Sequence, residues 1–314
     1  MELIKKIKTI LSNKYLSYVL GSYAKTSLSN PLFMAEESTR FLSRWLFRIT
    51  ELPQKGLRFE HHCHSHFSDG DELSDIVDLL LEKRISVWSL TDHGNSNAFN
   101  CLRNGSYNLN RQSKARKNYE LEFSDDGRSM VIHSGDQQVV LLKSIELWTD
   151  KGEIGIHGYS GEFPQRRIPL GDAIERAKDW GGYVVINHPY FWEGIGFNGR
   201  SCIEFAVKKG AVAIEKNGTE IPPQIHSAIK AELDARYFGI PLVTSGDAHH
   251  LYMYGLSGLT FSEQNYHAAL SQNRQNHADV IKQLVSVGSF ETYFNYLTPK
   301  EFLDFFSFSD KKTI

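Results

Sequence analysis

The chain has 314 residues, of which 41% are hydrophobic and 12% aromatic, so it can form one large α/β barrel or two ordinary domains and lies outside the disordered class. A formal net charge of −2 gives no signal for nucleic acid or for a membrane surface. Three scattered cysteines exclude a disulfide framework and a CxxC zinc site, and they favour a reducing, cytoplasmic compartment. No apolar run is long enough for a transmembrane helix, and polar residues after Lys8 argue against a signal peptide.

Residues 1–52 are predicted to be a helical, amphipathic extension packed on the main domain, with a partner-binding arm as the alternative. Over 53–262, short apolar runs alternate with helical patterns, which predicts a largely parallel sheet or barrel. The predicted strands are 57–63, 85–91, 131–133, 139–147, 153–159, 182–187, 211–216 and 240–245, and the predicted helices are 72–84, 171–180, 201–209 and 222–237. Residues 263–314 are predicted to be helical and packed on the barrel, with one helix over 265–287 and a capping box at Thr298 and Glu301 before another.

The first motif with potential chemistry lies between Glu60 and Gly70, where four histidines fall within six residues. On an extended strand alternate residues share a face, so His62 and His64 are predicted to project together. Two imidazoles on one face can bind one metal ion of the zinc, iron or manganese type. Asp69 follows in a turn and adds a hard anionic ligand. This density of histidines favours a metal site over a polar loop.

Two further motifs place polar side chains at or inside apolar strands. Asp92 and His93 follow a strand that reads as buried, and Asp92 could orient an imidazole or lie near a metal itself. Glu146 lies inside an otherwise apolar strand. Burying an unpaired carboxylate costs several kcal/mol, so Glu146 is expected to be paired, protonated or bound to a metal.

The remaining motifs follow the same pattern. A predicted hairpin turn over 150–152 returns His157 beside the strand that carries Glu146. His188 ends the next strand and precedes a proline, and the strand over 211–216 also ends in polar groups. Asp247 and His249, two residues apart after the last predicted strand, form a natural pair of ligands.

Taken in chain order, these motifs resemble the PHP family, named for polymerase and histidinol phosphatase. The shared features are a His-x-His with a following Ser-Asp-Gly, a Thr-Asp-His-Gly, a strand Glu, a His-Pro and a closing Asp-x-His, over about residues 57–260. Any one of these motifs is weak, whereas five in order are specific. The resemblance implies a distorted (β/α)7 TIM-like barrel with a trinuclear metal centre at the carboxyl ends of its strands, where barrel enzymes build their active sites.

The resemblance also implies a set of ligands for three divalent ions, with zinc, manganese or iron as the candidates. In this set a carboxylate bridges two of the ions. One ion would be bound by His62, His64 and Asp247, bridged through Glu146 to a second bound by His157 and His188, and the third would be bound by Asp69, His93 and His249.

This chain departs from the family pattern at a few positions. Glu60 stands where the family usually has Asp, and it is expected to support a ligand. Asp69 fills a position that is His in some members, which puts the strength of the third metal site in question. His66 and His250 are additional histidines and are expected to support ligands or to face the substrate.

The activity implied by the resemblance is hydrolysis of a phosphate ester, with a hydroxide shared by two metal ions as the nucleophile. Glu146 is the predicted bridging acid, and His250 in its protonated form is the candidate that assists the leaving oxygen. Asp92 is the third predicted catalytic residue, as a support for the ligands. The expected partner is a small phosphorylated molecule or a nucleotide, and the oligomeric state stays open.

Cationic loops are candidates for contact with a phosphate, because guanidinium groups match its geometry. Arg166, Arg167 and Arg200 lie in loops near ligand-bearing strands, although surface solvation is the alternative for each. The polar segment 95–130 carries a basic cluster over 111–117. A solvated loop is its default interpretation, and a lid or phosphate-binding loop is the sharper one.

Two functions of other classes stay open. One is metal-dependent hydrolysis of a C–N bond, since related barrels with histidine clusters and a bridging acid perform it. An arginine near the metals would favour phosphate esters, and an apolar pocket with a single charged anchor would favour amides. The other is a non-catalytic module with structural metals and 1–52 as its partner surface, against which the complete set of ligands argues.

Overall fold

A computed structural model of the chain describes residues 52–53, 55–115, 117–191, 193–217, 223–273, 276–298 and 301. Nearly all of the predicted extension over 1–52 therefore lies outside the described residues, as does most of the predicted helix after Thr298. The capping box that begins that helix is confirmed. The Thr298 amide donates to Glu301 Oε2 at 2.7 Å, and the Glu301 amide donates to Thr298 Oγ1 at 3.3 Å.

The described residues form one sheet and eight α-helices. The strands are β1 (Leu57–Glu60), β2 (Ile85–Leu90), β3 (Glu120–Phe123), β4 (Ser129–Ser134), β5 (Gln137–Thr149), β6 (Gly152–His157), β7 (Tyr183–Ile186), β8 (Ala213–Asn217), β9 (Leu242–Ser245), β10 (Gly258–Phe261) and β11 (Glu291–Tyr293). The helices are α1 (Leu73–Glu82), α2 (Asn97–Arg103), α3 (Leu109–Gln112), α4 (Leu170–Asp179), α5 (Arg200–Lys209), α6 (Pro223–Phe238), α7 (Glu263–Gln272) and α8 (His277–Ser286). Of these helices, none combines the length and the apolar character needed to cross a membrane.

The strands follow the order β11-β10-β1-β2-β5-β6-β7-β8-β9, with the β3–β4 hairpin attached to β5. β1, β2 and β5 are parallel to one another, and so are β7, β8 and β9. β6 is antiparallel to both of its neighbours, β5 and β7. The sheet nearly closes where Thr244 of β9 donates to the carbonyl of Gly258 in β10 at 2.7 Å. The predicted distorted TIM-like barrel is confirmed, and β6 is its main distortion.

Alternation along the strands divides the side chains between the helical layer and the barrel interior. Trp88 of β2 packs against α1, whereas its neighbour Val87 packs in the interior with Leu142 of β5. Two residues further along each strand, the interior positions become polar, at Ser89 and Ser144. The interior is therefore apolar near the strand starts and polar near the strand ends, where the site lies.

Two segments differ from their predicted structure. The segment 95–130 is folded rather than a solvated loop, since it contains α2, α3 and β3, and its Leu102 and Leu109 are buried. Lys114 of its basic cluster forms an exposed ion pair with Asp75 of α1 at 2.5 Å.

The predicted helix over 265–287 is two helices, α7 and α8. Asparagines at the break explain the difference, because they compete for backbone hydrogen bonds. The Asn273 side chain donates to the Ala269 carbonyl at 2.8 Å, near the end of α7. The Asn276 side chain accepts from the Asp279 amide at 3.2 Å and so caps the start of α8.

Candidate metal centre

The loop after β1 carries the predicted His-x-His pair. β1 ends at Glu60, yet His62 and His64 do project together as predicted, with their Nε2 atoms 3.3 Å apart. The His64 amide donates to the Ala248 carbonyl at 2.8 Å, which ties this loop to the end of β9. The loop then folds back on itself at Gly70, where an added Cβ would lie 1.9 Å from the His64 carbonyl oxygen. Only glycine permits this approach.

The Asp92 carboxylate holds this loop in place by accepting hydrogen bonds from two of its serines. Its Oδ1 accepts from the Ser65 amide at 2.7 Å and from the Ser68 hydroxyl at 2.8 Å, and its Oδ2 accepts from the Ser65 hydroxyl at 2.8 Å. Burial raises the pKa of the Asp92 carboxyl. The predicted contact between Asp92 and an imidazole is not among its described contacts. Asp92 therefore positions the turn that carries Asp69, and its predicted catalytic role as a support for the ligands stays a prediction.

Eight side chains meet at the carboxyl ends of the strands in three overlapping groups, each with its ligand atoms within 4.8 Å of one another. The first group is His62, His64, Glu146 and Asp247, the second is His93, Glu146 and Glu153, and the third is His64, Asp69, His93 and His249. Any two of these groups share one residue. His64 joins the first to the third, Glu146 joins the first to the second, and His93 joins the second to the third.

The separations within the first and second groups suit metal ions. Two atoms that bind one ion at about 2.0–2.2 Å lie roughly 3.0–3.6 Å apart, since ligands spread around the ion. In the first group, His62 Nε2 lies 3.2 Å from Glu146 Oε1, and His64 Nε2 lies 3.0 Å from Asp247 Oδ1. In the second group, His93 Nδ1 lies 3.2 Å from Glu146 Oε2 and 3.5 Å from Glu153 Oε1.

Several of these ligand atoms are buried without a hydrogen-bond donor or acceptor among the described residues. They include Glu146 Oε2, both carboxylate oxygens of Glu153, and Nδ1 of His93. Unpaired buried carboxylates are costly, and cations bound between them would supply the missing partners. The residues present therefore fit divalent ions.

The groups also shift one another's pKa values. Burial and the charge of Glu146 raise the pKa of Glu153 to about 7. Burial alone would lower the pKa of His93, but the nearby carboxylate of Glu153 and the charges of Glu146 and Asp69 raise it to about 10. In the absence of an ion the acids share protons with their neighbours, so metal binding must release protons.

Glu215 of β8 supports the first group, a role that the sequence did not indicate. It accepts from His62 Nδ1 at 2.9 Å, from the His188 amide at 2.7 Å and from the Ser245 hydroxyl. A carboxylate on one imidazole nitrogen fixes the ring so that the other nitrogen faces the metal. One feature of the sequence could have identified Glu215. It is a single carboxylate in a strand predicted to be buried, as Glu146 is.

Glu153 is a ligand candidate that the sequence did not single out, whereas the predicted ligands His157 and His188 belong to none of the three groups. His188 still lies beside them, with its Nε2 2.9 Å from Glu146 Oε1 and 3.7 Å from Glu153 Oε2. The positions of Glu153 and His157 follow from the direction of β6. Because β6 is antiparallel to β5, its first residues lie at the carboxyl end of the barrel, and Glu153 pairs with Trp148. His157 pairs with Ser144, further into the barrel, and its Nδ1 lies 2.6 Å from Ser89 Oγ. The resemblance implies a histidine ligand at a position where the structure brings the acid Glu153 to the groups.

This difference can be tested by metal content. We expect Glu153→Gln to lower the number of Mn²⁺ ions retained per chain, because it removes a charge from the second group, whereas His157→Gln leaves that number unchanged. Elemental analysis after dialysis against Mn²⁺ measures both. An equal loss in the two variants would show that His157 is a ligand after all.

The three other predicted supporting residues lie outside the groups. Burial raises the pKa of Glu60 to about 8, and its Oε2 accepts from the Gly255 amide at 2.7 Å. His66 Nδ1 accepts from the Leu73 amide at 3.2 Å and so caps α1. His250 Nδ1 lies 3.5 Å from Asp71 Oδ1, and the His250 ring stacks on Tyr252. Its role at the leaving oxygen stays a prediction.

The buried acid Glu60 gives a prediction about stability. Between its ordinary pKa of 4.5 and its folded pKa of about 8, the unfolded chain loses this proton while the folded chain keeps it, so stability falls as pH rises. Glu60→Gln removes that loss. In metal-free protein, we expect the Glu60→Gln variant to have a higher unfolding free energy than the parent. We expect this difference to increase by on the order of 2 kcal/mol between pH 6 and pH 9. Urea titrations measure it, and a gain independent of pH would contradict the assignment.

Two of the three candidate arginines border the site. Arg166 and Arg167 line a cavity of about 370 Å³ that reaches His93, and neither forms an ion pair with another described residue. Arg200 instead binds Asp234 at 2.6 Å and stacks on Tyr237, with its guanidinium carbon 4.0 Å from the ring centroid. Arg200 is therefore occupied elsewhere.

By sequence, the chain matches no protein-family model and no curated protein. By structure, it is similar to a two-domain protein from Bacteroides vulgatus that contains a predicted PHP-like metal-dependent phosphoesterase, with a TM-score of 0.50 and 16% identity over 78% of this chain and 68% of that chain. It is also similar to PsfC from Pseudomonas syringae, with a TM-score of 0.53 and 13% identity over 82% of this chain and 98% of that chain. The fold is that of PHP-like metal-dependent phosphoesterases, so the predicted resemblance is confirmed at the level of the fold.

Proposed function

We propose that this chain is a metal-dependent phosphoesterase with up to three divalent ions, of which Zn, Mn and Fe are the candidates. The observation that carries the proposal is that Glu146 belongs to both the first and the second group of ligands. A carboxylate that binds one ion through each of its oxygens holds the two ions close to one another, which is the arrangement that two-metal phosphoester hydrolysis uses. Bound ions would lower the pKa of water and neutralise charge on the phosphate oxygens.

The residues around the proposed ions would have different roles. Glu146 would bridge the ions of the first and second groups, Glu215 would orient His62, and Asp92 would hold the turn of Asp69. His93, which is 27% exposed, stands where these groups meet the cavity. A substrate phosphate would therefore enter past His93.

The cavity favours phosphate esters over amides. Arg166 and Arg167 offer guanidinium groups beside His93, which suit a phosphate or another anionic group of the substrate. An amide-cleaving site would instead need an apolar pocket with a single charged anchor. A purely structural role for the metals is also disfavoured, because the metal groups adjoin an open cavity.

A screen tests the proposal. Purified protein, stripped with chelator and reloaded in turn with Mn²⁺, Zn²⁺, Fe²⁺ or Mg²⁺, is assayed against phosphate monoesters, phosphate diesters and amides. We expect phosphate release with at least one metal and no cleavage of amides. Cleavage of amides alone would support the C–N hydrolase, and metal binding without any turnover would support the non-catalytic module.

A further inference from the structure

Trp148 is an exposed aromatic residue at the edge of the metal centre. It follows Glu146 by two residues on β5, so both side chains lie on the same face of the strand. Its side chain is 39% exposed, and its ring centroid lies 6.5 Å from that of His93, at an interplanar angle of 78°. A tryptophan left exposed beside a catalytic cavity offers a large flat surface to a ligand.

Arg167 lies against this tryptophan, with its guanidinium carbon 5.0 Å from the Trp148 ring centroid. Backbone bonds hold it there. Thr149 and Ile168 form a parallel bridge, and the Asp150 amide donates to the Ile168 carbonyl at 3.1 Å. These bonds place residue 167 beside residue 148, so the stack needs no ion pair to hold Arg167 in position.

The stack of Trp148 and Arg167 borders two cavities, and each cavity adjoins a residue of the metal groups. The cavity of about 370 Å³ reaches His93, with Leu147 and Pro164 in its wall. A smaller cavity of about 160 Å³ reaches Glu153. The organic group of an ester whose phosphate binds near His93 would therefore lie against Trp148 and Arg167.

We propose that Trp148 and Arg167 form a subsite for the leaving group, and that it selects phosphate esters that carry a planar aromatic ring. This inference rests on the proposed function. An indole and a guanidinium both present flat faces on which an aromatic ring stacks, and a saturated ring lacks the π-face that this contact requires. The ring can lie directly on the ester oxygen, as in an aryl phosphate, or one sugar away, as in a nucleotide.

Ratios of kcat/KM within matched pairs of substrates test the subsite in the Mn²⁺-loaded full chain. Benzyl phosphate against cyclohexylmethyl phosphate tests an aromatic leaving group at matched alcohol basicity, and adenosine 5′-monophosphate against ribose 5-phosphate tests a nucleobase. We expect the parent to prefer the aromatic member of at least one pair, and Trp148→Ala to lower that preference about tenfold. Trp148→Phe keeps a flat ring and should retain most of it, while Arg167→Gln should lower it severalfold.

Tyr237 and Arg200 supply the matched controls, since they form a similar stack without lining the cavity of about 370 Å³. Tyr237→Ala and Arg200→Gln should leave both ratios unchanged. The proposed subsite is contradicted if the parent does not prefer the aromatic member of either pair. It is also contradicted if the Trp148→Ala variant keeps the parent's preference.

A binding measurement separates this inference from the proposed function, because it needs no turnover. Calorimetric titration of the Mn²⁺-loaded protein with phenylphosphonate and with methylphosphonate compares ligands that differ only in the ring. Trp148→Ala should weaken phenylphosphonate binding about tenfold and leave methylphosphonate binding unchanged. This outcome would hold even if no phosphate ester were hydrolysed, and equal weakening of both ligands would contradict the subsite.

Discussion

Glu146→Gln should leave a folded protein that retains fewer metal ions and hydrolyses phosphate esters roughly 100-fold more slowly or worse. Glu146 is fully buried, and its two oxygens lie 3.2 Å from His62 Nε2 and 3.2 Å from His93 Nδ1. A glutamine keeps this shape and still accepts from the Asn187 side chain, which now donates to Glu146 Oε1 at 2.8 Å. The substitution removes the negative charge and one of the two oxygens that would bind the ions.

Glu60→Gln is the matched control for this variant. Glu60 is an equally buried glutamate on a neighbouring part of the sheet, but it belongs to none of the three groups. The Glu60→Gln variant should keep the metal content and the activity of the parent. Near-normal hydrolysis by Glu146→Gln, on any ester that the parent cleaves, would show that Glu146 does not bridge ions in the reaction.

Asp247→Asn should lower the metal content by about one ion per chain and reduce hydrolysis to a similar degree as Glu146→Gln. Asp247 Oδ1 lies 3.0 Å from His64 Nε2 and 3.2 Å from His62 Nε2, so it completes the first group. Its backbone lies in the left-handed region, with φ of 45°. Asparagine tolerates that region, so the substitution adds little strain. Elemental analysis and phosphate release measure the two effects.

Asp92→Asn provides the contrast. It disturbs the three hydrogen bonds that hold Ser65 and Ser68, so we expect about 1–3 kcal/mol lower unfolding free energy. At saturating metal it should keep the parent's ion count, since Asp92 lies outside the groups. Equal loss of metal from Asp92→Asn and Asp247→Asn would mean that the ligands are assigned wrongly.

Much of the site was predictable, because parallel strands bring their carboxyl ends to one edge of a barrel. His64, Glu146 and Asp247 are far apart in sequence. His64 and Asp247 are predicted at the site because they follow the ends of predicted strands, and Glu146 because it is an acid inside an apolar strand. Along β5, the change from Leu142 to Ser144 marks where the interior turns polar. This pattern of alternate residues identifies the end that carries the site.

The position of His157 outside the three groups has a physical cause that the sequence contains. A hairpin over 150–152 was predicted, and a hairpin reverses the chain. The residue just after the turn therefore lies at the site, and a residue four positions later lies deeper in the barrel. Applying this register would have selected Glu153 over His157.

Other features could not be predicted from local patterns. The partners of Asp92, His250 and Glu215 belong to segments distant in sequence, and only tertiary packing decides among the available donors and acceptors. The segment 95–130 reads as polar because its few core residues, such as Leu102 and Leu109, are widely spaced. Its packing depends on contacts with α1 that its own sequence does not reveal.

The most direct test of the account is a titration of chelator-stripped protein with Mn²⁺, in which bound metal and phosphate release are measured on the same samples. The shared ligands predict little hydrolysis at the first equivalent of metal, and a steep rise once a second ion occupies a group joined to the first through Glu146. Full activity in the presence of chelator, or a rate that is complete with a single bound ion, would contradict the account.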